Sequence, residues 1–273
     1  MRVPITDPDT LKTTLEHCGI RPNKALGQNF FIDEDRLAVI ADTADVSGRN
    51  VLEIGPGPGA LTELLIERAK KVIAVEKDAA MSAILTERLG DEPALSVVTA
   101  DALRYDPRTG FGGAPFCVVG NLPYYITTPI SERYVAMEPE SLTLMVQREA
   151  AARFLAQPGD RVYGPLAVVC DVFYRAEKTM DIPRACYWPQ PEVDSAVVRL
   201  KYCPPENGTG RARAFFAFLN AVFAMRRKTL INNLGRTDAA REAIAACGLA
   251  PDVRAEAVGP GTLYELFRIL KQD

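Results

Sequence analysis

A short apolar strand, a glycine-rich turn and the start of a helix follow one another in Val51-Leu52-Glu53-Ile54-Gly55-Pro56-Gly57-Pro58-Gly59-Ala60-Leu61-Thr62. Glycine adopts positive φ angles at no steric cost and lets a ligand approach the backbone closely. The spacing of Gly55, Gly57 and Ala60 matches the G-x-G-x-x-G/A pattern of dinucleotide-binding turns, which is weakly specific on its own. The stretch therefore predicts a strand–turn–helix unit with a ligand at the turn.

The residues around this turn indicate what kind of ligand it binds. Glu53 stands just before the turn, and its carboxylate would repel the phosphates of NAD. Pro56 and Pro58 also fit a pyrophosphate loop poorly. A ligand whose amino-acid end carries a positive charge suits the stretch better, and S-adenosylmethionine is such a ligand.

Further apolar runs predict more strands of the same sheet. The predicted strands cover residues 51–54, 72–75, 95–98 and 116–119, and they alternate with helical segments, as in βαβ units. Each run ends at a polar or glycine-rich position, in the order Gly55, Glu76, Asp101 and Asn121. One acidic residue after a strand is commonly a helix N-cap, but four such endings in succession indicate a shared site. Ligands of open parallel sheets bind at these carboxyl ends, where an acidic residue accepts hydrogen bonds from ribose.

The segment Asn121-Leu122-Pro123-Tyr124 carries the groups needed to hold an amino group on a flat ring. Asparagine offers an acceptor and two donors. Pro123 favours an extended Leu122, whose carbonyl can then point into a site. Tyr124 offers a ring face for stacking a base. Taken alone, the segment equally fits a strand that ends in a proline turn with a buried tyrosine, and the upstream motifs favour the site.

Several motifs in order resemble the ribosomal RNA adenine N6,N6-dimethyltransferases, the bacterial small-subunit enzymes and their eukaryotic and archaeal relatives. The motifs are Lys24-Ala25-Leu26-Gly27-Gln28-Asn29-Phe30, the glycine turn, Asn121 to Tyr124, Val146-Gln147-Arg148-Glu149, Tyr163-Gly164-Pro165-Leu166, Pro189 to Leu200, Arg226-Arg227-Lys228-Thr229-Leu230 and Asn232-Asn233-Leu234. The set covers nearly the whole chain, and its order makes it highly specific.

The resemblance implies an α/β fold, with a Rossmann-like, S-adenosylmethionine-dependent methyltransferase sheet and a small C-terminal helical domain. It implies dimethylation of N6 of two adjacent adenosines in the loop of the 3′-terminal hairpin of 16S rRNA in the small ribosomal subunit, and a role in ribosome biogenesis. The implied catalytic residues are Asn121, Leu122, Tyr124 and Tyr187. The implied cofactor-binding residues are Asn29, Phe31, Gly55, Glu76, Asp101 and Asn121. The implied RNA-binding residues are Arg226, Arg227 and Lys228.

The cofactor residues are expected to act in different ways. Glu76 is expected at the ribose hydroxyls and Asp101 at the adenine amino group of the cofactor. The resemblance makes Lys24–Phe31 part of a lid, in which Asn29 and the backbone of Phe31 contact the cofactor. The family usually has leucine at position 31, a change that a backbone contact tolerates.

Two aromatic rings are expected to sandwich the target base. Tyr187 falls where the family places the ring opposite Tyr124, and Trp188 beside it is the alternative. The Asn121 side chain and the Leu122 carbonyl are expected to accept the two N–H hydrogen bonds of the adenine amino group.

Composition bounds the class of protein. A chain of 273 residues with 48% hydrophobic and 25% charged residues predicts a globular protein with a large core. The start of the sequence lacks the apolar segment of a signal peptide, and six scattered cysteines predict reduced thiols in a cytoplasmic protein. With one histidine in the chain, we expect neither a zinc cluster nor a histidine-based triad, and no metal.

Charge and linker signals predict the domain organisation. Residues 1–203 are expected to form the catalytic domain, 204–210 a linker and 211–273 a small helical domain that binds RNA or the ribosome. Although the net charge is −3, the segment from Pro204 to Arg236 carries six positive residues against one negative. Such a cluster suits phosphate contacts, although adjacent charges are also common on a solvated helix face. We expect a monomer whose partners are the small subunit and its rRNA. We do not expect it to bind a membrane.

Three alternatives remain open at this stage. The antibiotic-resistance methyltransferases of large-subunit rRNA are related, but they more often have isoleucine and aspartate where this chain has Leu122 and Pro129. A ribosome-assembly factor would act mainly by docking, with methylation secondary. A nucleotide oxidoreductase would bind NADH in place of S-adenosylmethionine.

Overall fold

A computed structural model of the chain describes residues 4–23 and 27–271; Lys24, Ala25 and Leu26 of the predicted lid lie outside the described residues. In these ranges the strands are β1 Phe30–Phe31, β2 Asn50–Ile54, β3 Lys71–Glu76, β4 Leu95–Thr99, β5 Cys117–Asn121, β6 Ser141–Gln147, β7 Tyr174–Ile182, β8 Tyr187–Trp188 and β9 Ser195–Tyr202. The α-helices are α1 Pro8–His17, α2 Glu34–Thr43, α3 Ala60–Ile66, α4 Ala79–Leu89, α5 Pro107–Gly110, α6 Thr127–Val135, α7 Arg148–Leu155, α8 Pro165–Phe173, α9 Ala212–Val222, α10 Leu230–Asn233, α11 Asp238–Ala246 and α12 Pro260–Lys271.

Seven strands form one sheet in the order β4-β3-β2-β5-β6-β9-β7. The pairs β2–β3, β3–β4, β2–β5 and β5–β6 are parallel. The chain moves outward from β2 to β4 on one side and resumes at β5 on the other side of β2. This reversal opens a crevice at the carboxyl ends of β2 and β5, which is where open α/β sheets bind ligands. The predicted α/β fold with a parallel-rich sheet is confirmed.

The central strands are apolar because they are buried on both faces, as is usual in parallel sheets. All of β2 after its first residue is buried, including Glu53. Gly120 in β5 brings this strand close to β2, since a Cβ there would lie 2.7 Å from the Ile54 carbonyl oxygen. Asp33 is a residue type that favours a helix N-cap, and helix α2 begins directly after it. The Asp33 side chain accepts a hydrogen bond from the Arg36 backbone N–H at 3.0 Å.

One predicted strand is wrong. The apolar run from Leu166 to Tyr174 predicts a strand that would form an antiparallel edge with a second predicted strand from Ala196 to Leu200, but residues 165–173 form helix α8. The strand beside β9 is β7, which begins at Tyr174. A short apolar run does not distinguish a buried strand from a buried helix, whereas Pro165 suits the first turn of a helix.

The chain divides into two compact units. The first comprises Met1–Arg133, Pro139–Ala151 and Glu177–Arg199, and the second comprises Tyr134–Glu138, Ala152–Ala176 and Leu200–Asp273. The catalytic domain to residue 203, the linker at 204–210 and the helical domain from 211 stay a prediction. None of the helices in the described ranges is long and apolar enough to cross a membrane.

Aromatic side chains form the core of the second unit. The Phe215 ring lies 5.1 Å from that of Tyr264 and 5.3 Å from that of Phe267, and Phe173 lies 5.6 Å from Tyr264. Apolar residues recur at helical spacing from Phe215 to Leu234, which predicts a core-facing stripe. In the structure this stripe is core, with Leu234 only half-buried at its end.

Glu138 holds the start of α9 within this second unit. Its Oε1 accepts from the Ala212 backbone N–H at 2.8 Å, and its Oε2 accepts from the Gly210 N–H and the Tyr202 hydroxyl, both at 2.6 Å. The N-cap residue Arg211 provides no side-chain cap of its own. The carboxylate therefore satisfies backbone donors that a helix N-terminus leaves without partners.

Candidate active site

An open pocket lies in the first unit at the carboxyl ends of the parallel strands. Its walls are the glycine turn after β2, the ends of β3 and β5, the segment from Gly27 to Phe31, and Tyr187. Every residue predicted to be catalytic or to bind the cofactor lines it: Asn29, Phe31, Gly55, Glu76, Asp101, Asn121, Leu122, Tyr124 and Tyr187. The RNA-binding residues predicted by the resemblance lie in the second unit.

The glycine turn has the backbone geometry that its sequence predicts. Gly55, Gly57 and Gly59 have φ angles of 66°, 55° and 98°, a region that other residues adopt only under strain. At Gly59 a Cβ would also lie 2.6 Å from the Leu85 side chain. The turn therefore requires glycine, and it leaves the pocket open above it.

Glu76 at the end of β3 holds the turn from beside it. Its Oε2 accepts from the Gly57 backbone N–H at 3.1 Å, and its Oε1 accepts from the Asp78 N–H at 2.9 Å. Burial raises the pKa of this carboxyl, and the two backbone donors oppose that effect. Each oxygen retains a lone pair for a ligand hydroxyl.

Glu53 is a buried carboxyl that the predicted residue set did not include. Its Oε2 has no hydrogen-bond partner among the described residues, and it lines the pocket. Burial raises its pKa from 4.5 to about 8, opposed by the Thr62 hydroxyl and assisted by the charge of Glu76. The sequence feature that could have identified Glu53 is its position just before the glycine turn. That position indicated a cationic ligand, but Glu53 itself was not assigned to the site.

Asp101 after β4 is already engaged through both oxygens. Oδ1 accepts from the Leu103 backbone N–H at 2.9 Å, and Oδ2 forms an ion pair with Lys77 at 3.0 Å. The Leu103 hydrogen bond is the largest influence that lowers its pKa, followed by Lys77, so the group is a carboxylate. A ligand amino group would have to share these oxygens with Lys77.

The segment from Gly27 to Phe31 packs against the segment that follows β5. The Asn121 Nδ2 donates to the Asn29 carbonyl oxygen at 3.3 Å. A Cβ at Gly27 would lie 3.4 Å from Pro123. The described part of the predicted lid therefore lies against Asn121 and Pro123 at the pocket.

The strand geometry of β1 explains how Phe31 can offer its backbone to a ligand. Phe31 is paired with Tyr187, and the Ile32 N–H donates to the Cys186 carbonyl oxygen at 2.8 Å. In an antiparallel ladder this places Phe31 and Tyr187 in a non-hydrogen-bonded pair. The backbone N–H and C=O of Phe31 therefore point away from β8, as does the Asn29 carbonyl that meets Asn121.

Asn121 and Leu122 present two acceptors that have no partner among the described residues. The hydrogen bond to Asn29 uses the Nδ2 of Asn121, and its Oδ1 accepts none from any described residue. The Leu122 N–H is bound to the Met145 carbonyl at 3.0 Å, while no described group donates to the Leu122 carbonyl. These two oxygens lie at the end of β5, beside the glycine turn.

The two predicted stacking residues differ in accessibility. Tyr124 is half-buried, and its hydroxyl shares a hydrogen bond of 2.9 Å with Ser195. Tyr187 is only 3% exposed, and its ring meets that of Phe31 edge-on at 5.0 Å. Trp188 instead packs with the cluster around Leu11 and Leu15, which favours Tyr187 as the ring at the pocket.

The basic turn, residues Arg226 to Lys228, joins α9 to α10 in the second unit and is exposed. Arg226 is not free: it donates to the Arg161 carbonyl at 3.0 Å and pairs with Glu256 at 3.7 Å. The side chains of Arg227 and Lys228 make no ion pair or hydrogen bond with a described residue. Two of the three predicted phosphate contacts are therefore available without breaking an existing interaction.

The pocket fits S-adenosylmethionine in charge and hydrogen bonding. Glu53 offers a buried carboxyl oxygen that no described residue hydrogen-bonds, and this oxygen suits a cationic group. Glu76 and Asp101 offer acceptors at the next two strand ends, and the backbone of Phe31 offers a donor and an acceptor.

Comparisons with known proteins agree with the geometry. The chain matches the family model described as ribosomal RNA adenine dimethylase over residues 19–272. It is 38% identical to ribosomal RNA small subunit methyltransferase A of Geobacillus thermodenitrificans, over 98% of this chain and all of that relative. The corresponding protein of Alkaliphilus metalliredigens is 36% identical over 98% of this chain and 97% of its own length.

Two solved structures share the architecture. The 23S rRNA methyltransferase ErmE superposes with a TM-score of 0.67 at 29% identity, covering 89% of this chain and all of that chain. A dimethyladenosine transferase from Plasmodium falciparum superposes with a TM-score of 0.68, covering 87% of this chain and 95% of that chain; at 23% identity it shows the fold alone.

These matches confirm the predicted family, enzyme class and cofactor, S-adenosylmethionine. The roles of the individual site residues stay predictions. The chain belongs to the ribosomal RNA adenine dimethylase family.

Proposed function

We propose that this enzyme dimethylates N6 of two adjacent adenosines in the loop of the 3′-terminal hairpin of 16S rRNA, within the small ribosomal subunit and as a step in ribosome biogenesis. The observation that carries the proposal is a pair of acceptors beside the glycine turn, Asn121 Oδ1 and the Leu122 carbonyl, to which no group in the described part of the chain donates. An adenine amino group has two N–H donors, which this pair matches.

The acceptors act on the electronic state of the amine. The N6 lone pair of adenine is delocalised into the ring, so the amine is a poor nucleophile. Hydrogen bonds from its two N–H groups to Asn121 and Leu122 favour a pyramidal nitrogen whose lone pair is directed away from the ring. S-adenosylmethionine supplies an electrophilic methyl group on a sulfonium. Positioning and electrostatics carry the catalysis.

No general base is needed before methyl transfer, because the nitrogen loses its proton only after it has become cationic. The hydrogen bond from Asn121 Nδ2 to the Asn29 carbonyl supports this role of Asn121, since it fixes the amide with Oδ1 on the free side. Tyr124 stacks on the target base, with Tyr187 as the second ring.

Three groups hold the cofactor in this proposal. Glu76 accepts from the ribose hydroxyls, Asp101 accepts from the adenine amino group, and Asn29 with the Phe31 backbone closes the site. Gly55 leaves room for the ligand beside the Asn121 carbonyl, which would lie 3.6 Å from a Cβ at this glycine. The site uses no metal.

The basic turn contacts rRNA phosphates in this proposal. The enzyme acts as a monomer in the cytoplasm, where it meets the assembling small subunit. Positive side chains that neutralise phosphates supply much of the affinity of such complexes.

The large-subunit alternative is relevant because the structural neighbour ErmE is named as a 23S rRNA methyltransferase. Two observations favour the small subunit. The relatives at 36–38% identity are named as small-subunit enzymes, against 29% identity to ErmE. Leu122 and Pro129 also depart from the residues that the large-subunit enzymes more often have.

The test is mass spectrometry of rRNA fragments after the protein and S-adenosylmethionine are incubated with unmethylated small subunits, and in parallel with large subunits. We expect two dimethylated, adjacent adenosines in the 3′-terminal hairpin of 16S rRNA and none in 23S rRNA. Methylation confined to 23S rRNA would favour the large-subunit alternative. If the protein binds subunits but methylates neither 16S rRNA nor 23S rRNA, the result would favour an assembly factor.

A further inference from the structure

Tyr124 is hydrogen-bonded to a strand that begins 71 residues later in the chain. Its hydroxyl and the Ser195 Oγ share a hydrogen bond of 2.9 Å. Ser195 is the first residue of β9 and is fully buried, with 0% of its surface exposed. Tyr124, in contrast, is half-buried and lines the pocket. The bond therefore connects a partly exposed ring to the buried sheet.

A tyrosine held at both ends cannot swing its ring away from the pocket, because the backbone and the hydroxyl together fix where the ring lies. The backbone of Tyr124 follows Pro123, whose φ is fixed by its ring, and begins a short 3₁₀ segment. The far end of the side chain is the hydroxyl, which Ser195 holds. Without that second anchor the ring could rotate about its side-chain bonds.

The start of β9 is itself held in place. The Asp194 carbonyl accepts from the Arg148 backbone N–H at 3.0 Å, and the Asp194 Oδ1 accepts from the Arg184 N–H at 3.0 Å. The first of these bonds joins two motifs of the resemblance, Val146 to Glu149 and Pro189 to Leu200. They fix the position from which Ser195 reaches Tyr124.

The second aromatic ring meets the same serine. The Tyr187 hydroxyl faces Ser195 but completes no hydrogen bond with any described residue. One serine is therefore near the hydroxyl ends of both rings that are proposed to enclose the target base.

We propose that Ser195 is a positioning residue for methyl transfer: its hydroxyl fixes the position of the Tyr124 ring, against which the target adenine stacks. The inference rests on the proposed function, because it assumes that Tyr124 stacks on the base. A base held in one plane keeps its amino group in line with the acceptors of Asn121 and Leu122, and small losses of orientation reduce rates steeply.

The test is a double-mutant cycle with Ser195→Ala and Tyr124→Phe. Each variant removes the same hydrogen bond, and each is expected to slow single-turnover methylation of unmethylated small subunits roughly three- to tenfold, the range for one hydrogen bond. Because they remove one interaction, the double variant is expected to be no slower than the slower single variant. Affinities for S-adenosylmethionine and for the subunit are expected to hold.

Ser131→Ala is the matched control. Ser131 is also fully buried, and its hydroxyl donates to the Thr127 carbonyl at 2.7 Å in α6. This variant is expected to lose thermal stability while its transfer rate stays within about twofold of wild type. If Ser195→Ala does not fold, Tyr124→Phe reports on the same bond from the pocket side.

The outcomes separate the inference from the function on which it rests. A wild-type protein that does not methylate small subunits contradicts the proposed function. A wild-type protein that does, together with Ser195→Ala at the wild-type rate, overturns only the inference. Effects that multiply in the double variant, or an equal slowing in Ser131→Ala, also overturn it.

Discussion

Replacing Glu53 by glutamine is predicted to remove a pH dependence of folding that the wild-type protein shows without cofactor. The substitution preserves the shape of the side chain and removes its titration. Glu53 is buried, one of its oxygens has no partner among the described residues, and burial raises its pKa to about 8.

The sign and size of the effect follow from these values. Between pH 4.5 and about 8, the folded protein holds a proton on Glu53 that the unfolded chain has released. The free energy of unfolding therefore falls as pH rises through this window. The stabilisation is fully present below pH 4.5 and is lost above about pH 8. Its full size is on the order of 5 kcal/mol, because a tenfold change in proton affinity corresponds to about 1.36 kcal/mol.

The assay is urea unfolding of the cofactor-free protein from pH 5 to pH 9. The difference between wild type and Glu53→Gln should change steadily over this range, with the variant the more stable protein at pH 9. Glu87→Gln is the control, because Glu87 is an exposed residue of α4 and should show no such trend.

Cofactor binding provides a second measurement of the same residue. A cationic ligand favours the ionised carboxylate, so S-adenosylmethionine should bind wild type more tightly as pH rises toward 8 and should release a proton from Glu53. Calorimetry in buffers of different ionisation enthalpy counts that proton. A difference between wild type and Glu53→Gln that stays constant from pH 5 to pH 9, in both stability and affinity, would refute this account of Glu53.

Three further predictions concern other parts of the molecule. Glu76→Ala should weaken S-adenosylmethionine binding by about 1.5–3 kcal/mol, because a charged acceptor is lost; unchanged affinity in calorimetry would remove Glu76 from the site. Replacing the whole basic turn with alanine should flatten the salt dependence of subunit binding by about 0.7–0.9 log units for each lost phosphate contact. Arg226→Ala alone should contribute least to this change, and an unaltered slope in filter binding would mean that the turn is only a solvated surface. Glu138→Ala should cost about 1.5–3 kcal/mol of stability and speed amide hydrogen exchange at Gly210 and Ala212, whereas unchanged exchange would argue against the cap.

The sheet and the pocket followed from the sequence because both are encoded locally. Strands buried on both faces are continuous apolar runs, so β2 to β5 could be located within one or two residues. Their polar endings met in one pocket because parallel strands place their carboxyl ends at the same edge. The strand predicted at 166–174 was wrong for a related reason: an apolar segment of nine residues fits a buried helix as well as a buried strand.

Contacts between distant segments could not be predicted. Nothing in the local sequence indicates that Ser195 meets Tyr124, or that Glu138 caps a helix 74 residues later. The positive charge of the basic turn could be read from the sequence. The ion pair between Arg226 and Glu256 could not, because it depends on packing within the second unit. Burial of Tyr187 likewise depends on its pairing with β1.

The central claim is that Asn121 positions the amine for methyl transfer, and Asn121→Ala tests it most directly. The measurement is the single-turnover rate on unmethylated small subunits at saturating cofactor, with subunit binding measured in parallel. Asn50→Ala is the matched control, because the Asn50 amide also donates to a backbone carbonyl, that of Pro115 at 2.9 Å. We predict that Asn121→Ala binds subunits normally but transfers methyl groups about 10²–10³-fold more slowly, the usual effect of removing one preorganised polar contact to the reacting group. A rate within a few fold of both wild type and Asn50→Ala would contradict the claim.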